Sequence, residues 1–296
     1  MLDQFRSTFL NVNGVSIHLR HGGIGPPLLL LHGYPQSHLI WHAVADELAR
    51  HYTVVMPDLR GYGDSSKPHG LDDHGNYSKR VMAQDMLEVM SVLGFASFHV
   101  CAHDRGGRVA HRLALDHPAA VKKLILLDIS PTRTMYEQTD QLFARYYYHW
   151  FFLIQAYPLP EKLIGGDPVF YLRFSLGGWG SEGKSFFDPA VMAEYERCFC
   201  TPEAIHAACE DYRAAATIDL EHDKADETKK IVCPVHVIWG SHGVVGRLFH
   251  PLEDWQEKCQ LPVTGKAIAA GHFIPEESPS ILLEEMRHFF ADSSQK

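Results

Sequence analysis

Seven short apolar runs recur along the chain, at Val15–Leu19, Pro27–His32, Tyr52–Pro57, Phe98–Ala102, Lys123–Asp128, Val235–Trp239 and Gly265–Ala269. Each has the length of a strand, and helix-like stretches separate them. This alternation predicts an α/β fold with a mostly parallel central sheet and helices on both faces. The runs LLLLH and KLILLD are continuously apolar, as central strands covered on both sides require.

The rhythm stops between about Pro131 and about Thr228, where aromatic, helix-forming segments such as RYYYHWFF (145–152) and MAEYERCF (192–199) take over. Because the strand pattern resumes at Val235, the segment reads as a helical cap, residues 131–228, inserted in a core made of residues 1–130 and 229–296. The plainer alternative is a set of extra helices packed on one sheet face.

The polar positions carry the chemistry. Phe98–Ala102 leads into His103-Asp104-Arg105-Gly106-Gly107 and then the helix-like VAHRLALDHP. That is a nucleophile elbow with aspartate where G-x-S-x-G carries serine. A sharp strand-to-helix turn has room only for small residues near its apex, which accounts for Gly106 and Gly107. The same turn pushes Asp104 out above the sheet, beside the positive end of the next helix. Taken alone, Asp104 would also read as a common helix N-cap.

Other strand ends complete a constellation around it. His32-Gly33-Tyr34-Pro35 closes the run LLLLH, where the Tyr34 backbone N–H can join that of Arg105 to hold an oxyanion. His272, in Ala270-Gly271-His272-Phe273 after the last strand, is the candidate base, since the order nucleophile, acid, histidine fits this type of elbow. The common position for the acid, after VHVIWG, reads Ser241 to Val245 without a carboxylate. The preceding strand run ends in Asp128, which is therefore expected to orient His272. Leu59 to Ser65 reads as a structural turn.

Composition narrows the function classes. The 296 residues hold 36 acidic and 27 basic side chains, a formal charge of -9, with no block of basic residues. Nucleic acid and anionic membranes are thus poor partners. No apolar run is long enough to span a bilayer and the N-terminus lacks the signature of a secretory signal, so a soluble cytoplasmic enzyme is expected. Six irregularly spaced cysteines read as reduced thiols. Twenty histidines occur without an H-E-x-x-H or a C-x-x-C, so neither a metal nor another cofactor is expected.

These features resemble the α/β-hydrolase superfamily and, within it, the dehalogenase and epoxide-hydrolase branch that uses an aspartate nucleophile. Members of that branch usually carry Trp after the nucleophile, where this chain has Arg105. HDRGGR, an aromatic cap with His149-Trp150 and a displaced relay acid together resemble the haloacetate dehalogenases, in particular those acting on fluoroacetate. The resemblance implies a small anionic 2-haloacid as substrate. Arg105 and Arg108 would neutralise its carboxylate, and His149, Trp150 and Tyr212 would form the halide pocket. Without the resemblance, Arg108 reads as a helix-surface ion pair and the aromatic residues as packing. The implied mechanism is displacement of halide by Asp104, then hydrolysis of the ester by water that His272 activates. An epoxide hydrolase is the alternative, disfavoured because a neutral epoxide gives two buried guanidinium groups no partner. A non-catalytic binding protein is a third reading, which the intact Asp104, Asp128 and His272 oppose. A homodimer is the one macromolecular partnership left open.

Overall fold

The computed structural model describes residues 1–181 and 186–291. Eight strands form one sheet: β1 (Arg6–Val12), β2 (Val15–Gly22), β3 (Pro27–Leu31), β4 (Thr53–Pro57), β5 (Phe98–His103), β6 (Val121–Leu127), β7 (Val235–Gly240) and β8 (Thr264–Ile268). Their order is β1-β2-β4-β3-β5-β6-β7-β8. The first two strands run antiparallel to their neighbours and the pairings from β4–β3 through to β7–β8 are parallel.

The expected parallel core is therefore present, with one strand more than the apolar runs predicted. β1 escaped because it is a half-exposed edge strand, RSTFLNV, whose apolar positions are sparse. Its signal was the turn: Asn13 and Gly14 have φ of 44° and 76°, the left-handed pair that a tight hairpin demands. β6 ends at Leu127, which leaves Asp128 just beyond the strand with φ 49°.

Helices α1 (Ala45–Leu48), α2 (Lys79–Val92) and α3 (Asp104–Asp116) lie between the strands. α3 follows β5 directly and packs on α2, β5 and β6. The described residues between β6 and β7 contain helices and no strand of the sheet: α4 (Thr132–Glu137), α5 (Gln141–Tyr146), α6 (Tyr148–Phe152), α7 (Leu159–Gly166), α8 (Pro168–Leu176), α9 (Pro189–Phe199), α10 (Pro202–Ala216) and α11 (Ile218–Ala225). Three of them start at a side-chain cap followed by proline. Asp167, Asp188 and Thr201 accept from backbone N–H groups of α8, α9 and α10, and proline at the first position lacks the N–H that would otherwise be orphaned.

α10 turns one face of small residues inward. Ala204, Ala207, Ala208 and Ala215 are buried there, and a Cβ added at Gly61 would meet the Ala207 methyl at 3.1 Å. That close approach brings the polar residues on the same face, Asp211 and Tyr212, down to the ends of the strands.

The elbow is as tightly packed as its sequence implies. A Cβ at Gly106 would lie 2.3 Å from the His32 carbonyl oxygen, and one at Gly107 would lie 2.5 Å from Ile129 Cδ1. Backbone cannot yield as a methyl rotor can. Gly106→Ala is therefore expected to cost roughly 1–3 kcal/mol and Gly107→Ala distinctly less, measured as the difference in urea unfolding. Equal losses would show that the β3–α3 contact is not the tighter of the two.

Candidate active site

Asp104 is the first residue of α3 and holds φ 45°, a conformation rare for a side chain with a Cβ and sustained only by its surroundings. Those surroundings are specific. Asp104 Oδ1 accepts the Tyr34 N–H at 2.9 Å. An added Cβ at Gly33 would stand 2.5 Å from Asp104 Cβ and 3.0 Å from Arg105 N, so the strand end, the carboxylate and the start of α3 converge. Behind the elbow, His103 Nε2 donates to the His272 carbonyl oxygen at 2.8 Å. Burial pushes His103 down to about 3, which keeps it a neutral strut. Burial alone would raise the Asp104 carboxyl, but His272, His103, Arg105 and Arg108 outweigh it and hold the group below its ordinary value. Asp104 is an anion at neutral pH.

The expected relay comes together. His272 Nδ1 donates to Asp128 Oδ2 at 2.6 Å, and Asp128 Oδ1 accepts the Gly240 N–H at 3.0 Å. The turn after β7, where the acid was absent from the sequence, thus serves as a backbone clamp on the acid from β6. A Cβ at Gly243 would sit 3.2 Å from Asp128 Oδ1, which is why that turn is small. His272 Nε2 stands 4.0 Å from Asp104 Oδ2. Burial pulls the imidazole pKa down, yet the hydrogen bond and charge of Asp128, with Asp104 behind, raise it above its ordinary value.

The two arginines differ in a way that the sequence did not reveal. Arg105 is 0% exposed, and Asp211 on α10 holds it. Its Nε donates to Asp211 Oδ2 at 2.9 Å, and its Nη2 donates to Asp211 Oδ1 at 2.9 Å and to the Asp211 carbonyl oxygen at 2.8 Å. Only Nη1 lacks a partner among the described residues. Asp211 in turn accepts from Tyr62 Oη at 2.5 Å and pairs with Lys79. The expectation that both guanidinium groups lack a protein partner is therefore corrected: Arg105 has a counterion. Arg108, 3% exposed, has none among the described residues. It donates to the Ser130 carbonyl oxygen (3.2 Å) and Thr132 Oγ1 (2.8 Å) and contacts Met135 Sδ (3.3 Å). Its reading as a surface ion pair is excluded, and burial followed by repulsion from Arg105 pulls its pKa down.

Aromatic rings from the inserted helices close the other side. Tyr34 stacks on His149 with centroids 5.9 Å apart and meets Tyr212 edge-on at 5.2 Å. The Arg105 guanidinium lies 4.2 Å over the Tyr212 ring and that of Arg108 lies 4.6 Å over Trp150. These rings are packed, yet His149 Nδ1, Trp150 Nε1 and Tyr212 Oη are all buried without a partner among the described residues. Burial brings His149 down to about 3, so its imidazole is neutral. Trp179, at φ 57°, packs against both His149 (4.4 Å) and His272 (5.4 Å). Sequence reasoning missed Trp179 and Asp211. A carboxylate on the small-residue face of α10 was the available sign for Asp211; Trp179 had none.

One group of potential metal ligands occurs among the described residues, His18, His38 and Asp58. Both Nδ1 atoms already hydrogen-bond Asp58 at 2.8 Å, and Asp58 also accepts the His38 and Asp64 N–H groups. The cluster pins β2 to the turn after β4, which supports the structural reading of that turn.

The sheet order, the elbow and the carboxylate–histidine relay are those of α/β hydrolases, and a model of the alpha/beta hydrolase fold matches residues 26–279. The chain belongs to this family. It is 45% identical to a fluoroacetate dehalogenase of Burkholderia sp over 99% of this chain and 96% of that protein. It is 35% identical to a soluble epoxide hydrolase of Corynebacterium sp. (strain C12) over 95% of each. Among solved structures, ALR0039 of Nostoc sp PCC 7120 superposes with a TM-score of 0.96 at 56% identity, covering 98% of this chain and 99% of that one. No helix among the described residues is long and apolar enough to cross a membrane.

The arrangement makes a stability prediction. Asp211→Asn removes the charge that compensates Arg105 while preserving shape, and leaving a buried cation unpaired costs roughly 3–5 kcal/mol. Urea unfolding should register that loss. A change under 1 kcal/mol, about the value of one neutral hydrogen bond, would mean that Arg105 finds other compensation.

Proposed function

We propose that this protein is a haloacetate dehalogenase that converts fluoroacetate, chloroacetate and similar small 2-haloacids to 2-hydroxy acids and halide. The carrying observation is Arg108, a buried guanidinium with no carboxylate of its own, on the same helix face as the anionic Asp104. A site that buries such a cation beside its nucleophile is made for an anionic substrate. The name of the Burkholderia relative supports the same reading.

In the proposed reaction, Arg108 and the remaining Arg105 Nη1 donors hold the substrate carboxylate, which brings Cα in front of Asp104. An Asp104 carboxylate oxygen attacks Cα in line, the carbon–halogen bond breaks with its electron pair on the halide, and an ester forms. His149, Trp150 and Tyr212 supply the donors that solvate the departing halide. His272, oriented by Asp128, then takes a proton from water, which adds to the ester carbonyl at Asp104. The Tyr34 and Arg105 N–H groups stabilise the oxyanion. Collapse releases glycolate from a haloacetate and regenerates the Asp104 carboxylate with one proton to the medium. The helical segment 131–228 acts as a cap over the core of residues 1–130 and 229–296, and the enzyme works in the cytoplasm without a cofactor.

His272→Asn should complete the first step only. Incubation with chloroacetate is expected to add about 58 Da, one carboxymethyl group, to the intact mass, while Asp104→Ala adds nothing and releases no halide. Continued halide release by the histidine variant without an adduct would overturn both roles.

The pH dependence has a defined sign. Because His272 must be neutral to act as base, ester hydrolysis should fall as pH drops, and the hydrogen bond and charge of Asp128, which persist once Asp104 is esterified, hold the midpoint up. Asp128→Asn removes the largest raising influence, so the midpoint should move down, with the rate itself lower by roughly 10²–10⁴. An unmoved midpoint in single-turnover decay of the ester would show that Asp128 does not set the imidazole pKa.

A further inference from the structure

The proposed base sits on a loop, and a loop needs partners outside its own backbone to fix it. His272 is tied at Nδ1 by Asp128, and at its carbonyl oxygen by His103 Nε2 (2.8 Å) and the Ile274 N–H (3.0 Å). The peptides on either side of it are held by one further carboxylate, which the reaction above does not use. Glu277, the last residue of the short helix Ile274–Glu277, accepts the Gly271 N–H through Oε2 at 2.7 Å and the Phe273 N–H through Oε1 at 2.8 Å. A planar fork thus spans His272 and restrains its backbone dihedrals. Hydrogen bonds to a carboxylate are roughly twice as strong as neutral ones. Oε1 also accepts from Ser181 Oγ at 3.3 Å, and a Cβ at Gly271 would lie 2.6 Å from the Gly180 carbonyl carbon and 2.7 Å from Ser181 N. Residues 179–181, whose Trp179 ring packs on His272, therefore press on the loop where the fork grips it.

We propose that Glu277 is a positioning residue for His272, and that its contribution falls on ester hydrolysis and not on halide displacement. The inference rests on the two-step reading above. The two steps ask different things of the imidazole. In displacement Asp104 is the attacking group, anchored by the Tyr34 N–H, and His272 transfers no proton. In hydrolysis His272 Nε2 must meet a water poised between it and the Asp104 ester, across the gap of 4.0 Å that separates Nε2 from Asp104 Oδ2. Such a transfer tolerates little error, since a misplacement of about 1 Å can cost about 10²-fold. Asp128 fixes the ring at one atom; the Glu277 fork fixes the backbone from which the ring hangs. The Glu277 charge acts in the same direction. Burial lowers the His272 pKa, whereas Asp128, Asp104 and Glu277 raise it, and of these three only Asp128 and Glu277 keep their charge once Asp104 is an ester. His103, His149 and Tyr147, which face the ring from β5 and from the start of α6, are held neutral by burial.

The test follows the two steps separately in Glu277→Gln and Glu277→Asp, on the full chain with chloroacetate. Gln keeps the shape but turns an NH2 toward one of the two N–H groups; Asp keeps the charge but is one methylene too short to bridge them. Halide released in the first turnover reports displacement and counts the sites that are folded. Both variants are expected to release it at a rate close to that of the parent protein, while ester decay slows by roughly 10–10²-fold. The ester, about 58 Da heavier, should therefore accumulate during turnover in the intact mass. In Glu277→Gln the midpoint of ester decay against pH should move down, because a raising charge is gone, and in Glu277→Asp it should move less. Displacement and ester decay falling together overturn the proposal, as does ester decay unchanged in both variants. Loss of the first-turnover halide in both variants also overturns it, since Glu277 would then serve the fold alone. A midpoint unmoved in Glu277→Gln overturns the contribution of its charge. Absence of the ester in His272→Asn would instead overturn the two-step reading itself.

Discussion

Arg108 keeps its positive charge away from water with two hydrogen bonds, a sulfur contact and the face of Trp150 for company. Removing a cation from water costs several kcal/mol unless an anion is close. The charge that offsets it most is Asp104, one turn away on α3, where side chains four positions apart share a face. The attraction between the two charges offsets part of that cost. In the free protein Arg108 thus joins His272, His103 and Arg105 in holding Asp104 ionised.

That constraint explains why the second arginine is tied down. Arg105 and Arg108 repel one another, and the cluster of Asp211, Lys79 and Tyr62 limits that repulsion by giving Arg105 a carboxylate of its own. Lys79 also pairs with Asp219 at 3.4 Å, so the charges behind Arg105 alternate in sign and close among themselves. What reaches the pocket is one guanidinium paired by Asp211, which offers direction through Nη1, and one offset chiefly by Asp104, which offers charge. The anionic substrate proposed above would complete the balance without any protein group having to move its charge.

Local features of the site were legible in the sequence and long-range ones were not. The elbow could be read because its requirements fall within a few consecutive residues: an apolar run, an acid, then glycines where His32 and Ile129 press in. Asp128 could be read because the usual position for the acid was empty of carboxylates and the neighbouring strand ended in one. β1 was invisible to a search for apolar runs, since an edge strand with one wet face needs few of them. Asp211 lies far from Arg105 in sequence, and nothing in CEDYR says that this acid, and not Glu210 beside it, turns inward. Glu210 faces His74 and Arg213 instead. Tyr212 was identified by resemblance alone; its position over Arg105 required the fold.

The position of α10 decides whether the two halves of the chemistry meet. Its Asp211 fixes the arginine that follows the nucleophile, and its next residue, Tyr212, carries the hydroxyl proposed to serve the leaving group. Successive residues on a helix point about 100° apart, so one backbone register fixes both at once. The alanines of the inward face allow the helix to sit close enough for Asp211 to reach Arg105 through both side-chain oxygens and its own carbonyl. The aromatic wall from α6 then meets Tyr212 through His149, centroids 5.6 Å apart. Donors held this way pay no reorganisation when charge develops in front of them, which is where an enzyme gains most. The buried ion cluster beneath α10 therefore belongs to the proposed catalytic geometry as well as to the stability of the fold.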